Sequence, residues 1–512
     1  MAKELIAVLD FGGQYSHLIT RRIRECEVYS ELLPYTVKPE EIRNLNAGGI
    51  VLSGGPASVY ETGAPKCDPG IFNLGLPILG ICYGLQLMVD LLGGHVKAID
   101  RHEYGKTILK ISDHSDLFHD VKAETVSWMS HGDYADVLPN GFEVIATSEN
   151  CPTAAIRDSA RKFYAVQFHP EVAHTENGTR IIENFTRIIS GCKPNWTPHS
   201  IIETAVNQIK SQVGNDEVLS AVSGGVDSTT TAVLLQKAIG ERLTCVFVNH
   251  GLLRKDEAKR IVKILKEDLK LHLHYVDASE RFLKKLRGVD DPETKRKIVG
   301  EEFIRVFTEE SSKLGAFRWL AQGTLYPDVI ESAGTGSPAS RIKTHHNVGG
   351  IPEWSKFSII EPLKFLYKDE VRRIAQELHV PNSLVATHPF PGPGLAVRVI
   401  GEVTDEKLRI CRDASAIVED VLVQKGLYNS VWQAFAIVGD DKAVGVLGDH
   451  RQLGYVVSVR IITSLDGMTA DWARIPEEVL EEISGRITGE VSGVTWVTYT
   501  ITSKPPSTIE PC

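Results

Sequence analysis

No run in this 512-residue sequence approaches the ~18 consecutive apolar residues of a membrane-crossing helix, and the opening MAKELIAVLDFGG has neither a basic flank nor a small-residue cleavage site. A cytoplasmic protein without membrane contact is expected. The eight cysteines are scattered, with no C-x-x-C pair and no Cys/His cluster at zinc spacing. That pattern argues against a disulfide framework and a structural metal, and leaves room for one catalytic thiol. An excess of basic residues is also missing: the net charge is −10. Nucleic acid is therefore not an expected partner, and an anionic substrate would need a local basic pocket. With no internal repeat, no low-complexity tract and ordinary hydrophobic content, a chain of this length reads as about three globular domains, each with its own core.

What is present alternates in period. Ile6 to Leu9, Gly49 to Leu52 and Ile78 to Ile81 read as apolar strands, and Tyr15 to Arg24 and Leu85 to Leu92 as helices, the pattern of an α/β domain with a parallel sheet. Gly191 to Pro198 (GCKPNWTP) follows a helical segment ending near Ile189 and marks a linker. A second α/β unit runs from about Ile201 through the strand Leu243 to Val248 and on to His388–Gly394 (HPFPGPG). Inside it, Ser332 to Gly350 is rich in Gly, Ser, Pro and His and reads either as a mobile loop over a site or as a plain surface connection. Beyond Leu395, strands at Tyr455 to Ile462 and Thr495 to Ile501 surround a helix at Lys407 to Lys425. The expected fold class is α/β: two doubly wound parallel-sheet domains, 1–193 and 198–394, plus a small α+β domain, 395–512.

Ser223 to Ser228 spell SGGVDS where the strand Val218 to Val222 gives way to a helical run, Thr229 to Ile239. Two glycines let the backbone close around an anion, and the N–H groups of the turn and of the new helix point at it with the helix dipole behind them. Ser223, Gly224, Gly225, Val226, Asp227 and Ser228 are thus candidate phosphate-binding residues. The lysine that ends a Walker loop is absent. Asp227 is the residue placed to hold Mg²⁺ against the phosphates. SGGVDS resembles the PP-loop of the ATP pyrophosphatases, and that resemblance implies ATP as substrate, cut between its α and β phosphates.

Gly80-Ile81-Cys82-Tyr83-Gly84 also joins an apolar strand to a helix, the geometry of a nucleophile elbow. A cysteine in such a place is, by itself, more often a small buried residue. Its partners reverse that reading: the strand Tyr164 to Phe168 delivers His169-Pro170-Glu171, a base for the thiol and a carboxylate to orient the imidazole. His102 and His131 have no comparable context and read as structural or exposed. Ser53-Gly54-Gly55-Pro56 ends another strand of the same sheet, so the N–H groups of Gly55 and Tyr83 are candidate oxyanion donors. LSGGP, GICYGLQ and QFHPE, in that order, resemble the class I glutamine amidotransferases. The resemblance implies attack of Cys82 on the glutamine amide, proton transfer by His169, orientation of His169 by Glu171, and release of ammonia.

An ammonia source fused to an ATP pyrophosphatase suggests adenylylation of an oxygen that ammonia then displaces. Along nearly its whole length the chain resembles the glutamine-hydrolysing GMP synthase family, on CVFVNHGLLR (Cys245 to Arg254), LAQGTLYPDVIES (Leu320 to Ser332), IKTHHNVGG (Ile342 to Gly350), EPLK (Glu361 to Lys364), HPFPGPGLAVRV (His388 to Val399) and KPPSTIE (Lys504 to Glu510). The resemblance implies xanthosine monophosphate (XMP) as the acceptor, Val248 near adenine, Arg254 and Lys504 near the XMP phosphate, Ile509 and Glu510 near the nucleotide, and a homodimer formed through residues 395–512. Two rivals are weaker. A sulfur-inserting RNA-modifying enzyme needs a reactive cysteine by the PP-loop, where Cys245 lies within an apolar strand, and a catalytically dead sensor has no use for Cys82.

Overall fold

The apolar runs and amphipathic stretches become two compact units in the computed structural model, Met1–Ser200 and Ile201–Cys512. Described are residues 5–329, 357–447, 450–464, 467 and 469–512. The loop expected at Ser332 to Gly350 lies outside them, as does the side chain of His102.

In the first unit the nine-stranded sheet has the order β2-β1-β3-β4-β9-β8-β7-β5-β6. Its strands are β1 (Leu5–Asp10), β2 (Tyr29–Pro34), β3 (Ala47–Leu52), β4 (Ile78–Ile81), β5 (His95–Ile111), β6 (Glu124–Val137), β7 (Glu143–Thr147), β8 (Ala155–Asp158) and β9 (Phe163–Val166). The half from β2 to β9 is parallel, and β1 and β4 carry unbroken buried apolar runs because both their faces are covered. One covering element is α1 (Ser16–Glu25), whose Ile19 and Ile23 recur at helical spacing and face the core. The half from β8 to β6 is antiparallel and was not legible as strands. In β6 every second residue from Thr125 to Ala135 is buried, yet that face is Thr, Ser, Met, His, Asp and Ala. A period of two written largely in polar residues carries no hydropathy signal.

The second unit holds a five-stranded, wholly parallel sheet in the order β12-β11-β10-β13-β14, formed by β10 (Val218–Ala221), β11 (Leu243–Asn249), β12 (Leu273–Asp277), β13 (Trp319–Ala321) and β14 (Ser358–Ile360). A smaller sheet follows, in which β16 (His450–Thr463) pairs antiparallel with β15 (Gln433–Leu447) and β17 (Asp471–Trp472) and parallel with β18 (Val494–Tyr499). The helix over it spans Asp405–Gln424, two residues ahead of the expected start, because Thr404 caps it with a hydrogen bond from the Lys407 N–H, 3.2 Å. One buried apolar cluster runs from Leu219 and Val246 of the parallel sheet through Leu395–Val399 to Val457, Ile483 and Val494.

Candidate active site

Cys82 stands between β4 and α2 (Tyr83–Leu91) with φ 54° and ψ −105°, a backbone conformation that costs an L-residue about 1–3 kcal/mol and is held by its surroundings. The Cys82 N–H donates to Val166 O at 2.8 Å, and its carbonyl accepts from the N–H groups of Leu85 and Gln86, so the elbow is tied to β9 on one side and to its own helix on the other. Gly84 is required by packing: a Cβ there would lie 2.2 Å from the Leu52 carbonyl oxygen. The elbow thereby rests on the end of β3, where the SGGP turn begins.

That turn brings the candidate oxyanion donors together. A Cβ on Gly55 would touch the Tyr83 ring at 3.2 Å, and one on Gly54 would lie 3.2 Å from His169 Cε1 and 3.9 Å from Cys82 Cβ. The Ser53 hydroxyl accepts from the Phe11 N–H at 3.1 Å and donates to Gly54 O at 2.9 Å, fixing the turn to the end of β1.

His169 and Glu171 form a buried ion pair, Nδ1 to Oε1 2.7 Å. The His169 N–H donates to Trp128 O at 3.0 Å, the Thr175 hydroxyl donates to the His169 carbonyl at 2.6 Å, and the Tyr15 ring lies edge-on to the imidazole with centroids 5.2 Å apart. Burial opposes the charged imidazolium, but the Glu171 carboxylate and the contact with Cys82 outweigh it and hold the imidazole well above its ordinary range. The Arg22 Nε–H donates to the Glu171 carbonyl at 2.9 Å, anchoring the acidic residue's backbone to α1. Burial, the largest influence on each, pushes the thiols of Cys26, Cys151 and Cys245 up to about 12, with neighbouring carboxylates such as Glu183 and Glu103 adding to it for the first two, and this leaves them inert. His131 is structural: it is buried, with Nδ1 2.9 Å from Asp133 O and Nε2 3.3 Å from Glu103.

In the second unit the helix after the PP-loop, α3, spans Val226–Ile239 and starts three residues earlier than expected. Gly225, extended at φ −77° and ψ 159°, is its N-cap, so Val226, Asp227 and Ser228 form the first helical turn. Gly224 has φ +80°, and a Cβ there would strike Ile261 Cδ1 at 2.3 Å, so glycine is required twice over. Ser223 and Ser228 brace the turn: the Ser223 N–H donates to Ser228 Oγ at 3.2 Å, and the two hydroxyls are 3.1 Å apart. Val248 is buried near the carboxyl end of the adjacent strand β11. Asp227 Oδ1 is buried without a hydrogen-bond partner, whereas Oδ2 accepts from Lys368 Nζ at 2.5 Å. Lys368 opens the helix Lys368–Glu377, and nothing local in the sequence pointed to it. A single carboxylate with one uncommitted oxygen suits Mg²⁺, which takes few protein ligands and completes its shell with water and phosphate.

The residues expected around XMP divide. Arg254 lies over the Phe390 ring at 4.4 Å, donates to His388 O at 3.0 Å, and pairs with Glu257 at 3.1 Å and Glu419 at 3.3 Å. Arg398, fully buried, lies 4.9 Å from the same ring and 3.7 Å from Glu510. The Gln433 amide donates both to Pro389 O at 3.0 Å and to Glu510 Oε1 at 2.8 Å. HPFPGPG is thus the meeting point of Arg254 and Glu510. Ile509 joins through Arg460, whose guanidinium donates to the carbonyls of Ile509, Thr502 and Thr508. Lys504 stands apart from this network, donating to Gly467 O at 2.8 Å. Arg398, Gln433 and Arg460 were not singled out in the sequence.

Residues 7–189 match the glutamine amidotransferase class-I family, and residues 420–511 match the GMP synthase C-terminal domain. The chain is 57% identical to the glutamine-hydrolysing GMP synthase of Carboxydothermus hydrogenoformans over 100% of both chains. It is 55% identical to that of Geobacillus kaustophilus, again over 100% of both, and 54% identical to that of Nostoc punctiforme, over 99% of this chain and 95% of the relative. The first unit is thus of the amidotransferase class. The chain as a whole belongs to the glutamine-hydrolysing GMP synthase family.

Proposed function

We propose that this chain converts XMP to GMP, taking ammonia from glutamine and cleaving ATP to AMP and pyrophosphate. One observation carries the reading: the same chain holds an elbow cysteine beside a buried His169–Glu171 pair and a PP-loop whose acidic residue keeps one oxygen uncommitted. Family membership supports it throughout.

The Cys82 sulfur attacks the glutamine amide carbon, and the N–H groups of Gly55 and Tyr83 take the charge that develops on the amide oxygen. His169, held protonated by Glu171, gives its proton to the departing nitrogen, and ammonia leaves a thioester. Water hydrolyses the thioester to glutamate, with His169 now accepting the proton of the attacking water. At the second centre the C2 oxygen of XMP attacks the α-phosphorus of ATP and expels pyrophosphate. Ammonia then displaces AMP. Mg²⁺, when bound, supplies charge neutralisation as the phosphoanhydride breaks. Asp227 would hold it, Ser223–Ser228 would cradle the phosphates, Val248 would line the adenine site, and Arg254, Lys504, Ile509 and Glu510 would hold XMP.

The same reading includes the division 1–193, 198–394 and 395–512, a cytoplasmic setting and a homodimer. Among the described residues no helix is long and apolar enough to cross a membrane. Support for the dimer comes from one face of the β15–β16 ribbon. Val444 and Leu453 lie opposite each other there and Val446 follows, all more than half exposed.

Chromatography of the products formed from XMP, Mg-ATP and glutamine tests the proposal. GMP, AMP, pyrophosphate and glutamate in equal amounts are expected, and ADP with phosphate would sink it.

A further inference from the structure

Besides His169, the sulfur of Cys82 has two fixed polar neighbours of opposite character. Ser130 O lies 3.7 Å away and can only accept, and Gln167 Nε2 lies 3.7 Å away and can only donate. Gln167 is fully buried two residues before His169, and its own N–H is secured to Ala154 O at 2.8 Å.

Which end of a glutamine amide faces a neighbour is decided by the network around it. Here the decision comes from Gln86, on the helix that Cys82 precedes. Gln86 Nε2 donates to the Asp133 carbonyl at 3.2 Å, which can only accept, so that atom is the NH₂ group. Its second proton goes to Gln167 Oε1 at 3.5 Å. With its oxygen taken, Gln167 presents its NH₂ group to the sulfur.

We propose that Gln167 is a positioning residue for the nucleophile, a donor held toward the Cys82 sulfur by the relay Asp133 O, Gln86, Gln167. This rests on the assignment of Cys82 as the attacking group. A neutral thiol turns its proton to Ser130 O. Once the proton is lost, that contact becomes repulsive and the Gln167 contact becomes charge-assisted, so the thiolate is drawn to one side of its site. His169 supplies the charge, and Gln167 supplies a neutral donor that stays in place whether the imidazole is charged or has given its proton to ammonia.

The titratable groups around the sulfur are His169 with Glu171 behind it, Cys151, and, on the paired strands β5 and β6, Glu103, His131 and Asp133. All are retained in the variants that test the proposal. The rate of Cys82 alkylation by iodoacetamide is followed against pH in the full chain, in Gln167→Glu and in Gln167→Met, with Cys82→Ala giving the background of the other thiols. The plateau rate at high pH reports access and folding. The midpoint reports the donor. Both variants should move the midpoint up by about one pH unit, a tenfold loss of thiolate below it, with the plateau within about twofold of wild type. Glutamine-dependent kcat should fall about tenfold while the KM for glutamine changes little. An unmoved midpoint in both variants overturns the proposal, and so does a shift in Gln167→Glu alone, which would trace to the added charge. If Gln167→Glu loses its plateau, Gln167→Met decides. Should wild type release no glutamate at all, the glutamine reading fails, while the alkylation profile still judges Gln167.

Discussion

Lys368 Nζ lies 2.5 Å from Oδ2 of Asp227, joining the first turn of the PP-loop helix to a residue 141 positions later. The loop lacks a lysine of its own, and the fold brings one to it from a distant helix. The pair is partly exposed, with side chains 42% and 28% accessible, so phosphate can compete for the ammonium and a metal ion for the carboxylate.

Asp227→Asn should abolish both glutamine- and ammonium-dependent GMP formation, because it removes the carboxylate proposed to hold Mg²⁺. Lys368→Ala should raise the KM for ATP about tenfold, the loss of one charged hydrogen bond to phosphate, and leave glutamine hydrolysis in place. Steady-state kinetics with each nitrogen source separate the two.

Cys82→Ala should remove glutamine-dependent GMP formation and leave ammonium-dependent formation within about twofold, since the PP-loop chemistry needs only free ammonia. Failure of high ammonium to restore synthesis in the folded variant would break the assignment.

Because Glu171 raises His169 above its ordinary value of 6.5, the pair stabilises the first unit fully below that pH, and the contribution is lost as pH rises through the elevated folded value. Glu171→Gln should lower thermal stability more at pH 6 than at an alkaline pH above the raised imidazole value. An equal loss at both values, measured by thermal unfolding, would show that the charge on His169 is not involved.

Lys504→Ala should raise the KM for XMP at least tenfold and leave that for glutamine unchanged. The Lys504 ammonium donates to the Gly467 carbonyl while the backbone is held by hydrogen bonds with Ala470, so the side chain can be redirected to a phosphate at the cost of one contact. An unchanged KM for XMP counts against the role.

Leu453→Glu should shift the proposed dimer to monomer at micromolar concentration in sedimentation, by placing a charge in the exposed apolar strip with Val444 and Val446. A dimer that persists locates the two-fold contact elsewhere.

Strands β1, β3, β4, β9, β10 and β11 and both turns were legible because buried parallel strands are written in apolar runs, and because the elbow and the PP-loop declare themselves through glycine spacing; the parallel strands β2, β12, β13 and β14, short or partly exposed, went unread. The antiparallel half of the first sheet was not legible either, since β6 turns Ser127, His131 and Asp133 inward. Helix starts moved where the capping residue decided them: Gly225 and Thr404 set boundaries that periodicity put two or three residues later. Lys368, Arg398, Gln433 and Arg460 escaped because each reaches its partner across a long stretch of chain, and a lone Arg, Lys or Gln has no local signature.

The hydrogen at Gly84 is the full thickness allowed between the elbow helix and the Leu52 carbonyl. That van der Waals contact, with the close approach of Gly55 to the Tyr83 ring, gauges Cys82 against the turn bearing Gly54 and Gly55. A methyl group at position 84 would act as a shim, lifting the cysteine off the end of β3 and widening the gap between sulfur and the proposed oxyanion donors while every reacting group stayed present. Such an enzyme would keep its thiol and its imidazole and lose its aim.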